Sequence, residues 1–206
     1  MHTTTPQRIT RRIQQLTASV VPDGKPVYLT VHPEAGAVAN ECFPNVEAKI
    51  ANAGGRMQCG WQIWEWPQVM VEAEFHAVWV SPEGQLVEIT PKAQGEKTIL
   101  FLPDPRRTYS GISLGNVRMP LRDDLLVLHF IKASDAITHV LNRSVRAFQH
   151  GMVSIPADEI EPLKVAQSFL GQSILSGLRD HDPCLCRSGK KYKRCHGRSF
   201  ETVFGL

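Results

Sequence analysis

The sequence predicts an α+β protein, an antiparallel sheet with helices before, between and after its strands. Three observations carry that expectation. From Val69 to Val80, the residues Val69, Val71, Ala73, Phe75, Ala77 and Trp79 alternate with Met70, Glu72, Glu74, His76, Val78 and Val80, which is the period of a strand. Ile9, Ile13, Leu16 and Val20 recur at helical spacing near the start, and Leu126, Phe130, Ala133, Ile137 and Val140 recur at the same spacing beyond Met119-Pro120. Between strand patterns, Ser81-Pro82-Glu83-Gly84 is a turn that joins neighbours as a hairpin.

Residues 7–20 form an amphipathic helix with Arg8, Arg11 and Arg12 off the apolar stripe, ended by the turn Pro22-Asp23-Gly24-Lys25. Val27 to Val31 follows as a short strand. A small-residue loop between Pro33 and Asn40 leads into a second helix marked by Val46 and Ile50 and stopped by Gly54-Gly55. Cys42 then lies at, or just before, a helix N-terminus, where free N–H groups and the helix dipole lower a thiol pKa. Gly60 to Trp66 is an aromatic strand, and its tryptophans, with Trp79, are core and cleft wall.

His76 shares a strand face with Glu72 and Glu74, opposite Phe75 and Trp79. With Gly84 in a left-handed conformation the hairpin loop pairs Ser81 with Gln85 and Val78 with Glu88, placing Glu88 diagonally from His76 on one face. A plain four-residue loop would put Glu88 on the opposite face; the glycine favours the first register. Thr98 to Leu102 is a further strand. The helix of residues 126–140 breaks near Ser134-Asp135, and Pro162 to Ser176 gives the last helix, with Pro162 in its first turn.

A chain of 206 residues, 42% of them hydrophobic, can bury one substantial core and carry a small appendage. Residues 1–178 are the expected core, with strands over 26–103 and a helical part over 120–178, and residues 179–206 are the appendage. Neither a signal-peptide pattern nor an apolar run of membrane-spanning length is present, so the expected compartment is the cytoplasm, with no membrane partner. The net charge of +3 does not by itself point to nucleic acid.

The appendage concentrates the chemistry. Cys184 and Cys186 are followed, after eight residues, by Cys195 and His196. Two ligand pairs turned face to face by a Ser188-Gly189 turn and a hairpin-like return make a closed tetrahedral Cys3His site, structural because no position is left for water or substrate. So short a segment would take its folding free energy from the metal. Arg187, Lys190, Lys191, Lys193, Arg194 and Arg198 crowd it with no acid between Pro183 and Phe200, a basic face for an acidic partner or for phosphates. The stretch from Asp182 to Gly197, with its Ser-Gly-Lys-Lys-Tyr-Lys centre, resembles the SEC-C motif. That resemblance implies zinc on Cys184, Cys186, Cys195 and His196, and a docking role toward a protein partner or a ribosome-like surface. Leu185 departs from the family's usual small or polar residue at a position that is not a ligand.

In the core, a cysteine at a helix start is followed by a histidine on one strand and a carboxylate on the next. A thiolate can attack, an imidazole can hold and pass the proton, and an acid can orient the ring. The candidates are Cys42, His76 and Glu88. Ala73-Glu74-Phe75-His76-Ala77-Val78-Trp79, followed by Val87-Glu88-Ile89-Thr90-Pro91, resembles the papain-like or transglutaminase-like core, with one extra residue before Trp79 and Glu in place of Asp. The resemblance implies a cysteine hydrolase or acyl transferase. The rival expectation is a non-enzymatic adaptor with an inert core, binding protein or ribosomal RNA through the basic tail.

Overall fold

The computed structural model describes residues 3–111, 114–143 and 155–204. They form two compact units: one takes the chain up to Pro67 together with Val71–Met119, the other takes Gln68–Met70 and the chain from Pro120 onward. The architecture is α+β, as the alternation of periods predicts. No helix among the described residues is long and apolar enough to cross a membrane.

In the first unit, α1 (Arg11–Val20) starts later than residue 7, because the Thr10 hydroxyl accepts from the Ile13 N–H and caps it there. Ile13 and Leu16 are fully buried, whereas Ile9 lies outside the helix and is 37% exposed. Strand β1 (Val27–Thr30) and helix α2 (Cys42–Ala53) follow. Next come β2 (Arg56–Trp66), β3 (Met70–Val80), the two-residue β4 (Leu86–Val87), β5 (Thr98–Pro103) and β6 (Val117–Pro120). Sequence periodicity misses β6, whose four residues are too few to display one.

The sheet order is β1-β5-β2-β3-β4, with β6 pairing with β3. Beyond β1, Val31 bridges Glu88, the His32 N–H donates to the Glu88 carbonyl (2.8 Å) and the Glu34 N–H donates to the Ile89 carbonyl (2.9 Å). The two ends of the sheet thus meet, curling it nearly into a barrel and leaving no open edge there. Val31, Val78, Ile99 and Phe101 pack as one apolar cluster with Leu29 and Leu86 against it. Gly60 is required: a Cβ there would stand 2.4 Å from the Leu102 carbonyl oxygen and 2.6 Å from the Phe101 ring.

The hairpin between β3 and β4 follows the register that Gly84 dictates. Gly84 has φ +89°, the Ser81 N–H donates to the Gln85 carbonyl (2.9 Å), and Trp79 and Val80 pair with Val87 and Leu86. Of the tryptophans, Trp61 and Trp66 are buried, Trp64 donates to Glu74 (2.6 Å) and Trp79 donates to the Gly54 carbonyl (2.9 Å).

In the second unit, α3 (Leu125–Arg143) and α4 (Ala157–Leu175) pack through Val140, Ile160 and Leu163. Helix α3 runs through Ser134-Asp135 unbroken, because the Ser134 hydroxyl donates to the Phe130 carbonyl (2.8 Å) and is satisfied inside the helix. Helix α4 begins five residues before Pro162, so the proline sits inside it; Asp158 and Glu159 occupy the favourable first turn instead. A short 3-10 turn (Tyr192–Arg194) and α5 (His196–Phe204) close the unit.

Candidate functional site

Helix α2 opens at Cys42 itself, and its cap residue Glu41 makes no side-chain hydrogen bond to the free N–H groups of the first turn. Those groups and the helix dipole favour negative charge at that end. Asn45 fixes the helix start. Its Oδ1 accepts from the Val38 N–H (3.0 Å), and its Nδ2 donates to the Val38 carbonyl (2.8 Å) and to the Thr90 hydroxyl (3.3 Å). Asn40, just before the helix, takes a left-handed backbone with φ +67°.

The hairpin brings Glu88 to His76, with Glu88 Oε2 2.5 Å from His76 Nε2. Burial alone would push the His76 imidazole down, but the Glu88 carboxylate, and after it the Cys42 sulfur acting by charge and hydrogen bonding, raise it to about 9. Burial works the other way on Glu88, and is outweighed by His76, Lys92 and the Thr90 N–H, which hold this carboxyl below its usual range. The structure therefore gathers Cys42, His76 and Glu88, at 7%, 5% and 0% exposure.

Two further side chains join this group that sequence reasoning missed. Lys92 Nζ lies 3.1 Å from Glu88 Oε2, 3.4 Å from His76 Nε2 and 2.9 Å from Gln62 Oε1, with its side chain only 6% exposed. Gln62 is itself buried, and its Nε2 has no partner among the described residues. A Glu88 to Lys92 spacing of four is a signal on a helix, but here the segment is a turn after a strand, so nothing in the sequence marked it. Cys59 is also buried, and burial pushes its thiol up, which keeps it protonated.

At the other end of the chain, Pro183 bridges Lys191 and the Cys184 N–H donates to the Lys190 carbonyl (2.8 Å), the hairpin-like return the spacing implies. Arg187 and Gly189 turn the chain with φ of +59° and +73°. Cys184 Sγ then lies 3.2 Å from His196 Nδ1, Cys186 Sγ lies 3.4 Å from Cys195 Sγ, and Cys195 Sγ lies 3.7 Å from His196 Nδ1. All four donor atoms fall within 4.8 Å of one another. A tetrahedral site with metal–sulfur bonds of about 2.3 Å has edges of about 3.8 Å, so the donor set fits a metal ion. Metal binding needs thiolates, and the Ser188 hydroxyl, followed by its backbone and by Cys195, pulls the Cys186 thiol down to about 6. Beneath the cluster Tyr192 is fully buried, its hydroxyl 3.1 Å from His129 Nδ1.

Residues 182–198 match the SEC-C motif. The match falls on the stretch of the tail that holds the Cys/His cluster. Its four donors form a candidate metal site, with Cys184 buried, Cys195 half-buried, and Cys186 and His196 at the surface. The SEC-C match covers the tail and leaves the sheet unassigned. No solved structure matches the chain, so the papain-like or transglutaminase-like resemblance of residues 26–103 finds no support.

Proposed function

We propose that this is a zinc-binding protein whose sheet unit carries a cysteine-dependent hydrolase or acyl-transfer site and whose SEC-C tail recruits a protein partner. The observation that carries the enzymatic reading is the meeting of a helix-terminal thiol with a histidine already bound to a buried carboxylate. Glu88 occupies Nε2 of the ring, which leaves Nδ1 for the sulfur. The Cys42 thiol gives its proton to His76, and the thiolate attacks the carbonyl of an amide, thioester or isopeptide. As the carbon–heteroatom bond breaks, the imidazolium returns the proton to the leaving group. Water, or a second nucleophile, then takes the acyl group from sulfur.

Zinc suits the SEC-C donors because three soft thiolates and one imidazole, all from protein, fill a tetrahedral shell. Bound there, the ion would cross-link the tail and leave no site for chemistry. Five free cysteines fit a reducing compartment such as the cytoplasm. Arg187, Lys190, Lys191, Arg194 and Arg198 are exposed around the knot beside Leu185, at 50% exposure, a surface that suits an acidic protein partner with an apolar anchor.

The test is an electrophilic thiol probe applied to the zinc-loaded protein. Labelling should fall on Cys42 and drop at least tenfold in His76→Ala. Equal labelling of the two proteins would remove the activated thiol. The near-complete burial of the group favours one rival, an inert core that serves only as an adaptor. Pull-downs with and without residues 182–206 address that reading, since an adaptor working through its tail loses its partners in the deletion.

A further inference from the structure

We propose that Lys92 is a positioning residue of the thiol site, whose ammonium balances the Glu88 carboxylate so that a proton can pass from Cys42 to His76 without leaving net charge in a buried group. The inference rests on the cysteine-site reading and names a residue that neither its sequence pattern nor the SEC-C match assigns.

Two acceptors fix the ammonium beside the His76 ring. Gln62 Oε1 holds it at 2.9 Å, Glu88 Oε2 at 3.1 Å, and His76 Nε2 stands at 3.4 Å. Gln62 Oε1 and Glu88 Oε2 accept from the ammonium, whereas His76 Nε2, whose hydrogen faces Glu88, is a close neighbour and not an acceptor, so Lys92 is anchored rather than free to reach substrate. The Gln62 amide is oriented in turn, since its oxygen faces the ammonium, and its buried Nε2 has no partner among the described residues. An orphan amide donor of this kind is costly, and it persists where another contact compensates.

The groups facing the His76 ring are Cys42 from α2, Glu88 beyond β4, Lys92 from the turn after it, and the uncharged Phe101 ring from β5. With thiol and neutral imidazole the charges are Glu88 minus and Lys92 plus, which sum to zero. With thiolate and imidazolium they still sum to zero. The proton leaves sulfur and binds the ring, and nothing else changes. Without the ammonium both forms would carry a net negative charge out of water, and the group would relieve it by taking up a proton from solvent. His76 would then hold its proton to still higher pH, and the neutral imidazole that accepts the sulfur's proton would be scarcer.

Lys92→Gln and Lys92→Met remove the charge, the first keeping hydrogen-bonding capacity, and Lys92→Arg keeps the charge. In ring-nitrogen NMR titrations the His76 midpoint should rise by about one pH unit or more in both neutral variants and stay close to wild type in Lys92→Arg. The pH profile of Cys42 alkylation should move upward with it, a displacement that simple loosening of the site would not produce. An unmoved His76 midpoint in a folded neutral variant overturns the proposal. A measurement on wild type stands apart from the variants: the Lys92 Nζ resonance should shift at the His76 midpoint, and a resonance blind to it also overturns the proposal. If Cys42 resists alkylation throughout while the His76 midpoint still responds, the cysteine-enzyme reading fails and the charge coupling of Lys92 survives.

Discussion

At the scale of the residue, charge and close approach decide most. His76 has its folded pKa raised to about 9 from an ordinary value near 6.5, so the native state holds its proton more tightly than the unfolded chain does. That contribution is fully present below about pH 6.5 and is lost as pH rises through about 9. Stability measured by denaturant should therefore decline across that interval, and His76→Gln should flatten the decline. Gly60 is a steric counterpart. An added Cβ 2.4 Å from the Leu102 carbonyl forces β2 away from β5, so Gly60→Ala should destabilise by about 2 kcal/mol or more in urea unfolding. Cys42 at a helix start and Glu88 on the face of His76 were legible because a helix start and a hairpin register are local properties. Lys92 was not, since its partners Gln62 and His76 lie 30 and 16 residues away and only folding brings them together.

At the scale of the element, one glycine sets the register that builds the site. Gly84 supplies the left-handed residue of a three-residue loop, and that loop length places Glu88 on the face of His76. Deleting Gly84 should slip the register by one and turn Glu88 to the other face. The expected readout is a His76 titration midpoint falling back well below about 9, measured by NMR. Helix limits were less legible than helix existence. Helix α1 starts where Thr10 caps it, α3 accommodates Ser134 by an internal hydrogen bond, and α4 tolerates Pro162 beyond its first turn. In each case a hydrogen bond, or for α4 packing against a tertiary neighbour such as Val140 of α3, outweighs the punctuation signal.

At the scale of the whole molecule, the chain combines an apolar sheet with a short segment that carries a candidate metal site. Chelation should remove amide-exchange protection from residues 182–198 and expose Tyr192, while β2, β3 and β5 keep their protection, because their core is hydrocarbon. Loss of protection in both together would show that the metal site supports the entire fold. By itself the sequence determined the fold class, the four SEC-C donors and the face that His76 shares with Glu88, because each follows from local spacing, period or turn chemistry. Only the tertiary structure decided that the two ends of the sheet meet at Val31 and Glu88, that Cys42 comes to the ring, and that Lys92 lies against the carboxylate. Those depend on which distant segments share one low-dielectric interior, and short-range pattern carries no record of that.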